Sequence, residues 1–361
     1  MKATQSLHEL GQSLWLDNIT RELMQSGTLS RYIDELSVTG LTSNPTIFEK
    51  AIGGSSDYDE SIRKKHQQGK SGEALFFELA IEDLQRAADL FRPVYDRTNG
   101  VDGWVSLEVS PLLAHDTAGT IAAAKDLHAR AARPNLFIKI PGTPEGVPAI
   151  EEAIFSGVPV NVTLLFSREQ YVEAADAYLR GVERRIAAGM NPKVGCVASL
   201  FISRWDVAVQ DKVPKELRNQ LGIAVAGQAY VAYRLMMESP RWQRIFNAGA
   251  DRQRLLWAST GTKDPAAPPA LYVQALAAPL TVNTLPEATL KAVAEHDAMH
   301  KMMPAHIRDY EHMLEAFAKA GVDVTALSQQ LQREGAESFS KSWNALLASI
   351  EKKSSALAGA K

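Results

Sequence analysis

Leu136-Phe137-Ile138-Lys139-Ile140-Pro141-Gly142 places one lysine inside an otherwise apolar run. Asn135 precedes the run and Pro-Gly closes it, so it reads as a buried strand of a parallel sheet. An ammonium group is expensive to bury unpaired, and a dry site favours the neutral amine. A neutral, fixed amine is what carbonyl chemistry through a Schiff base requires. A lysine on an edge strand, facing water and discouraging aggregation, fits the same seven residues. The surrounding chain has to separate the two.

Working outward, short apolar runs alternate with longer amphipathic stretches. Candidate strands fall at roughly 13–17, 37–42, 103–109, 135–140, 158–163, 194–199, 254–259 and 279–283. Helical periodicity lies between them, over Ser71 to Arg92, Asp116 to Arg133, Glu145 to Phe155, Ser167 to Ala188 and Ala224 to Met237. Such alternation predicts a parallel sheet covered by helices, an α/β fold. Eight units suggest closure into a (β/α)8 barrel; a doubly wound open sheet gives the same alternation. The stretch 45–92 is too long for one crossover, so extra helices are expected there. After Pro286 the chain reads as helical, with helices over about 286–350 packed on the barrel and a polar tail, Glu351-Lys352-Lys353-Ser354-Ser355, expected to fray. No linker or repeat divides the chain, so 1–361 is expected to form a single barrel domain.

Composition excludes several classes of function. The chain has 361 residues, 45% of them hydrophobic and 22% charged, with a formal net charge of −3. That charge supplies no basic field for nucleic acid and no polybasic face for a membrane. The single cysteine, Cys196, permits no internal disulfide and no cysteine-cluster metal site. The first residues lack an apolar signal core and no stretch is long enough to span a bilayer, so a cytoplasmic protein is expected. Monomer and homodimer both remain open.

Alternate residues of a barrel strand point inward, and functional groups gather at the carboxyl ends. Asp17 ends Ser13-Leu14-Trp15-Leu16-Asp17. Ser106 and Glu108 share one face of their strand, Lys139 aligns with Phe137, and Asn161 and Thr163 oppose three aliphatics. Ser199 and Ser259 end later runs, and Asn44 follows the second strand. Polar groups near the carboxyl ends of seven candidate strands converge on one mouth if the sheet closes. Taken singly, each acid reads as a solvated loop carboxylate, and Asn161 and Thr163 as strand-end caps. Cys196 has the opposite parity to Ser199, which puts it under a helix as a small core residue.

Four ordered motifs resemble the transaldolase family: Gly40-Leu41-Thr42-Ser43-Asn44-Pro45-Thr46, Leu136 to Thr143, Val160 to Ser167 and Val197 to Arg204. The resemblance runs from Gly11 to about Pro286. It implies a TIM barrel that transfers a dihydroxyacetone unit between a ketose phosphate and an aldose phosphate, as in the pentose phosphate pathway. Sedoheptulose 7-phosphate and glyceraldehyde 3-phosphate would give erythrose 4-phosphate and fructose 6-phosphate. It further implies that Lys139 forms the imine and that Asp17 takes the C4-hydroxyl proton. Glu108 with Thr163 would hold a proton-relaying water. Asn44 and Asn161 would bind the dihydroxyacetone hydroxyls, with Ser199 lining the same part of the pocket. An iminium is the electron sink for such cleavage, so no metal and no cofactor is expected.

The phosphate side departs from the better-known pattern. Arg204 matches a family arginine, but Gly261 stands where many transaldolases carry one, in Ser259-Thr260-Gly261-Thr262-Lys263. Glycine amides beside Lys263 suit a phosphate; a solvated turn lysine fits equally. The chain resembles the longer branch of the family, found alone or fused to a phosphoglucose isomerase, and 361 residues leave no room for that partner. Two rivals are a lyase that splits fructose 6-phosphate and an inactive sugar-phosphate-binding barrel. Glu108 and Phe201 lean against the lyase, whose relatives tend to carry Gln and Tyr there. The presence of Lys139, Asp17 and Glu108 leans against the inactive barrel. His296 and His300, one helical turn apart, lack a third ligand and read as a surface helix.

Overall fold

The computed structural model describes residues 2–297, 301–304 and 306–359. Eight strands form one sheet: β1 (Gln12–Asp17), β2 (Val38–Thr42), β3 (Val105–Glu108), β4 (Leu136–Pro141), β5 (Val160–Leu165), β6 (Cys196–Phe201), β7 (Gln253–Ala258) and β8 (Thr281–Leu285). Their order is β2-β1-β8-β7-β6-β5-β4-β3, with parallel pairing between neighbours. The ring closes where Leu41 N donates to Trp104 O at 2.9 Å and Gly103 N donates to Thr39 O at 2.8 Å. A Cβ on Gly40 would lie 2.7 Å from Trp104 O and 2.8 Å from the Trp15 indole, so only glycine permits this seam. The sheet is therefore a barrel and not a doubly wound open sheet.

Strand parity divides the core in two. Leu136, Ile138 and Ile140 pack outward with the helices, as do Val160, Val162, Ala198 and Leu200. Trp15, Trp104, Phe137, Val197, Leu256 and Val282 fill the barrel interior. Trp104 stacks on Phe137 with centroids 4.0 Å apart. Lys139 shares the parity of Phe137, and Asp17 that of Trp15, so both emerge above this aromatic floor. Cys196 lies on the helix side, where Gln253 Nε2 donates to its Sγ at 3.2 Å. Burial pushes its thiol up to about 12, which leaves it an inert core residue.

All eight expected strands are present, with ends displaced by a few residues. The 45–92 region does hold extra helices, Pro45–Gly54, Asp59–Gln67 and Gly72–Arg97. Phe76 and Phe77 pack there against Trp343 of the C-terminal helix, while Met236 and Met237 lie half-buried against the core. One expectation fails. The C-terminal helix runs from Val324 to Gly359, and its polar end does not fray. Lys353 is tied to Asp59 Oδ1 at 2.8 Å and also to Ser55 O, and Ser354 is buried. The sequence there looked solvated because its partners sit nearly three hundred residues away.

The histidine pair also differs from expectation. The helix Glu287–Ala294 ends before His296, which is exposed, and His300 lies outside the described residues. Among the described residues no group of three or more His, Cys, Asp or Glu is arranged to hold a metal ion. No helix of the described residues is long and apolar enough to cross a membrane.

Candidate active site

A cavity of about 320 Å³ opens at the carboxyl ends of the strands. Asp17, Asn44, Lys139, Thr163, Ser199, Phe201, Arg204, Ser259 and Lys263 all line it, so residues from the carboxyl ends of six of the eight strands meet there. Glu108 and Asn161 stand behind this lining. The register explains the grouping: Glu108 pairs with Lys139 across β3 and β4, and Lys139 with Asn161 across β4 and β5.

Lys139 is 5% exposed. Its Nζ lies 3.0 Å from Glu108 Oε2 and donates to the Ser43 carbonyl at 3.0 Å. The buried lysine is thus paired, not the isolated ammonium that its strand alone suggests. The edge-strand reading is excluded, because β4 has neighbours on both sides. Burial raises the Glu108 carboxyl above its ordinary range; Lys139 opposes the shift and the charge of Asp17 adds to it. Glu108 Oε1 and Thr163 Oγ1 are buried with no hydrogen-bond partner among the described residues.

Burial likewise raises Asp17, against the pull of Lys139, a hydrogen bond from Thr42 and the more distant Lys263. Thr42 Oγ1 lies 2.8 Å from Asp17 Oδ1 and 2.6 Å from Thr284 Oγ1. Asn161 is fully buried, donating to Ser106 Oγ at 3.1 Å and accepting from Ser199 Oγ at 2.7 Å. It therefore orients Ser199 as well as bordering Lys139. Asn44 has a structural duty too. Its Oδ1 accepts from Ile47 N at 3.0 Å and caps the helix Pro45–Gly54, leaving its amide nitrogen for the cavity.

Ser259 reaches the mouth by a route that strand parity does not describe. It follows β7 in a left-handed conformation, φ 56°, and its hydroxyl lies 2.9 Å from that of Ser203. Arg204 is half-buried and has no hydrogen-bonded or ion-paired partner among the described residues. Lys263 is exposed, with its Nζ folded back to 3.8 Å from where a Gly261 Cβ would stand. The cavity wall also includes Lys50, Thr284 and Phe339, none of which stood out in the sequence. Thr284 was discoverable: it shares the carboxyl-end position of its neighbours, and only the misplaced end of the eighth strand hid it.

Fold and cavity together define a (β/α)8 barrel with a carboxylate-paired lysine amine at its mouth. The chain belongs to the Transaldolase/Fructose-6-phosphate aldolase family, whose profile matches residues 14–350. It is 44% identical over 352 residues to a protein named Transaldolase from Acidothermus cellulolyticus, with 95% of each chain covered. A Transaldolase from Saccharopolyspora erythraea is 43% identical over 353 residues, 96% of each chain. Transaldolase 2 from Nostoc punctiforme is 39% identical over 367 residues, again 96% of each.

Proposed function

We propose that the chain is a transaldolase, a transferase that moves a three-carbon dihydroxyacetone unit between sugar phosphates on Lys139. The observation that carries this is the Lys139–Glu108 pair, 3.0 Å apart, beneath a cavity that Asp17 also lines. Glu108 is placed to accept the proton that Lys139 must lose before its amine attacks the ketose carbonyl. Loss of water from the carbinolamine gives an iminium, which withdraws electrons from the C3–C4 bond. Asp17 takes the C4-hydroxyl proton as that bond breaks, and burial suits it to the task by making its carboxylate more basic. An aldose leaves, an acceptor aldose enters, and the same steps run backwards.

Glu108 Oε1 and Thr163 Oγ1, both buried and without a partner among the described residues, support a water held between them for imine formation and hydrolysis. Asn44 Nδ2 and Ser199 suit the hydroxyls of the bound unit, with Asn161 fixing Ser199. Arg204, Lys263 and Lys50 supply cationic charge for a phosphate at the mouth, and neither Arg204 nor Lys50 is spent on an ion pair among the described residues. Ser259 and Gly261 border the same region. Sodium borohydride added with fructose 6-phosphate should leave one reduced adduct, on the peptide containing Lys139. An adduct on any other lysine, or full activity in Lys139→Ala, overturns the assignment.

A further inference from the structure

The C-terminal helix Val324–Gly359 brings Phe339 into the cavity wall, 6% exposed. Its ring centroid lies 5.9 Å from Lys139 Nζ, and it is the aromatic ring within cation–π range of that atom among the described residues. Phe201 stands 6.4 Å from it and Phe166 a further 5.3 Å away, so an apolar wall runs beside the amine.

The helix is held on both sides of Phe339. Gln332 Nε2 donates to Gly142 O at 2.9 Å, just past β4, and to Leu164 O at 3.0 Å, near the end of β5. Beyond the ring, Thr46 donates to Ser342 Oγ at 2.8 Å and Trp343 packs between Phe76 and Phe77. A Cβ on Gly335 would come within 2.9 Å of Leu164, so the helix lies close against the barrel mouth. These ties fix the ring relative to Lys139 more firmly than a loop would.

Once the first aldose has left, the enamine on Lys139 has two fates. Its nucleophilic carbon can attack an acceptor aldehyde, forming a carbon–carbon bond while the aldehyde oxygen takes a proton. Alternatively that carbon takes a proton, and one water hydrolyses the resulting imine to free dihydroxyacetone and the lysine amine. Neither route involves a redox change, and both end with one water hydrolysing an imine at the carbon–nitrogen bond; the second does so before any acceptor has been joined. We propose that Phe339 sets this partition, its apolar bulk keeping water from the Lys139-bound intermediate until an acceptor arrives. The proposal rests on the Schiff-base reading of Lys139, and the helix itself, far from the barrel strands in sequence, thereby becomes part of the transfer machinery.

The test measures free dihydroxyacetone formed per sedoheptulose 7-phosphate formed from fructose 6-phosphate and an excess of erythrose 4-phosphate, for the unaltered chain, Phe339→Ala, Phe339→Leu and Phe339→Gln. Phe339→Ala should raise the ratio on the order of tenfold, the scale of one missing apolar contact beside a reacting group. Phe339→Leu, which keeps apolar bulk, should stay within about threefold of the unaltered chain. Phe339→Gln fills the space with a hydrated amide and should behave like Phe339→Ala; it carries the test if the alanine variant does not fold by circular dichroism. An unchanged ratio in the folded Ala or Gln variant overturns the proposal, as does an equal rise in Phe339→Leu. Borohydride mapping on the same samples separates the two readings: an adduct on Lys139 with an unchanged ratio defeats only the role of Phe339. An adduct elsewhere in the unaltered chain defeats the Schiff-base reading and this proposal with it.

Discussion

Asp17 holds its proton more tightly than an ordinary carboxylate because burial outweighs the attraction of Lys139, the Thr42 hydrogen bond and Lys263. The same shift that suits it to the proton transfer proposed above makes it a liability for stability. A group whose folded pKa lies above the unfolded value of 3.8 binds more protons in the native state, so stability falls as pH rises through that window. Asp17→Asn should therefore raise Tm at pH 7 to 8, with the gain vanishing as pH falls below the unfolded value, while turnover drops about 10²–10⁴-fold. Thermal melts across pH and a steady-state assay check both halves; a Tm lowered at neutral pH refutes the stability argument. The phosphate side offers a second residue-scale expectation. If Arg204 and Lys263 both grip phosphate, removing either should raise KM for fructose 6-phosphate roughly ten- to a hundred-fold and leave unphosphorylated fructose little affected. Selectivity lost in Arg204→Ala but kept in Lys263→Ala would make Lys263 a solvated turn residue, as its exposure allows. Lys139, Glu108 and Asp17 were legible because strand parity is a local, two-residue rule. Asn44 and Asn161 were only half legible, since nothing local reveals that one amide caps a helix and the other spans two serines.

At the scale of elements, the strands announced themselves through short aliphatic runs, and the misjudged ends follow from physics that runs across the sheet. The left-handed residues Leu164 and Ser259 end or bulge their strands, and no side-chain pattern marks a left-handed conformation at leucine or serine. The C-terminal helix was legible as a helix but not as a wall of the site. Its alliance with β4 and β5 depends on one side chain, Gln332, satisfying two carbonyls at once. Gln332→Ala should destabilise the protein by about 1–3 kcal/mol, because Gly142 O and Leu164 O lose their shared donor in a half-buried setting. Denaturant unfolding measures this directly. Gln332→Glu offers those carbonyls no amide donor at neutral pH and should be no better than alanine, whereas a variant loss confined to the C-terminal helix would leave the barrel signal unchanged. Equal stability in all three proteins would mean that the helix is held by its far end alone, through Trp343 and Lys353.

At the scale of the whole molecule, the barrel separates a reactive mouth from a structural floor. Below Trp15 and Phe137, Arg254 donates to Asp102 Oδ1 at 2.9 Å and to Ser13 Oγ at 2.6 Å, and it also reaches Val101 O. Ser13 donates to Asp102 Oδ2 at 2.6 Å, so the buried charges form a closed network at the amino ends of the strands. The motifs that reveal the mouth say nothing of this floor, because its partners lie on the first and seventh strands and on the segment leading into the third, and pair only after the ring has closed. Asp102→Ala leaves Arg254 buried without its carboxylate and should cost about 3–5 kcal/mol of stability. Arg254→Ala strands Asp102 in the same way, and the double variant should cost less than the sum of the two, since neither charge remains unpaired. The catalysis proposed above belongs to the opposite face, at the carboxyl ends of the strands. Each folded variant, assayed well below its own Tm, should therefore keep a kcat close to that of the unaltered chain. Chemical denaturation supplies the three stabilities and a steady-state assay the three rates. Strict additivity would show that the pair is not coupled, and a kcat that falls in step with stability would show that floor and mouth are not independent.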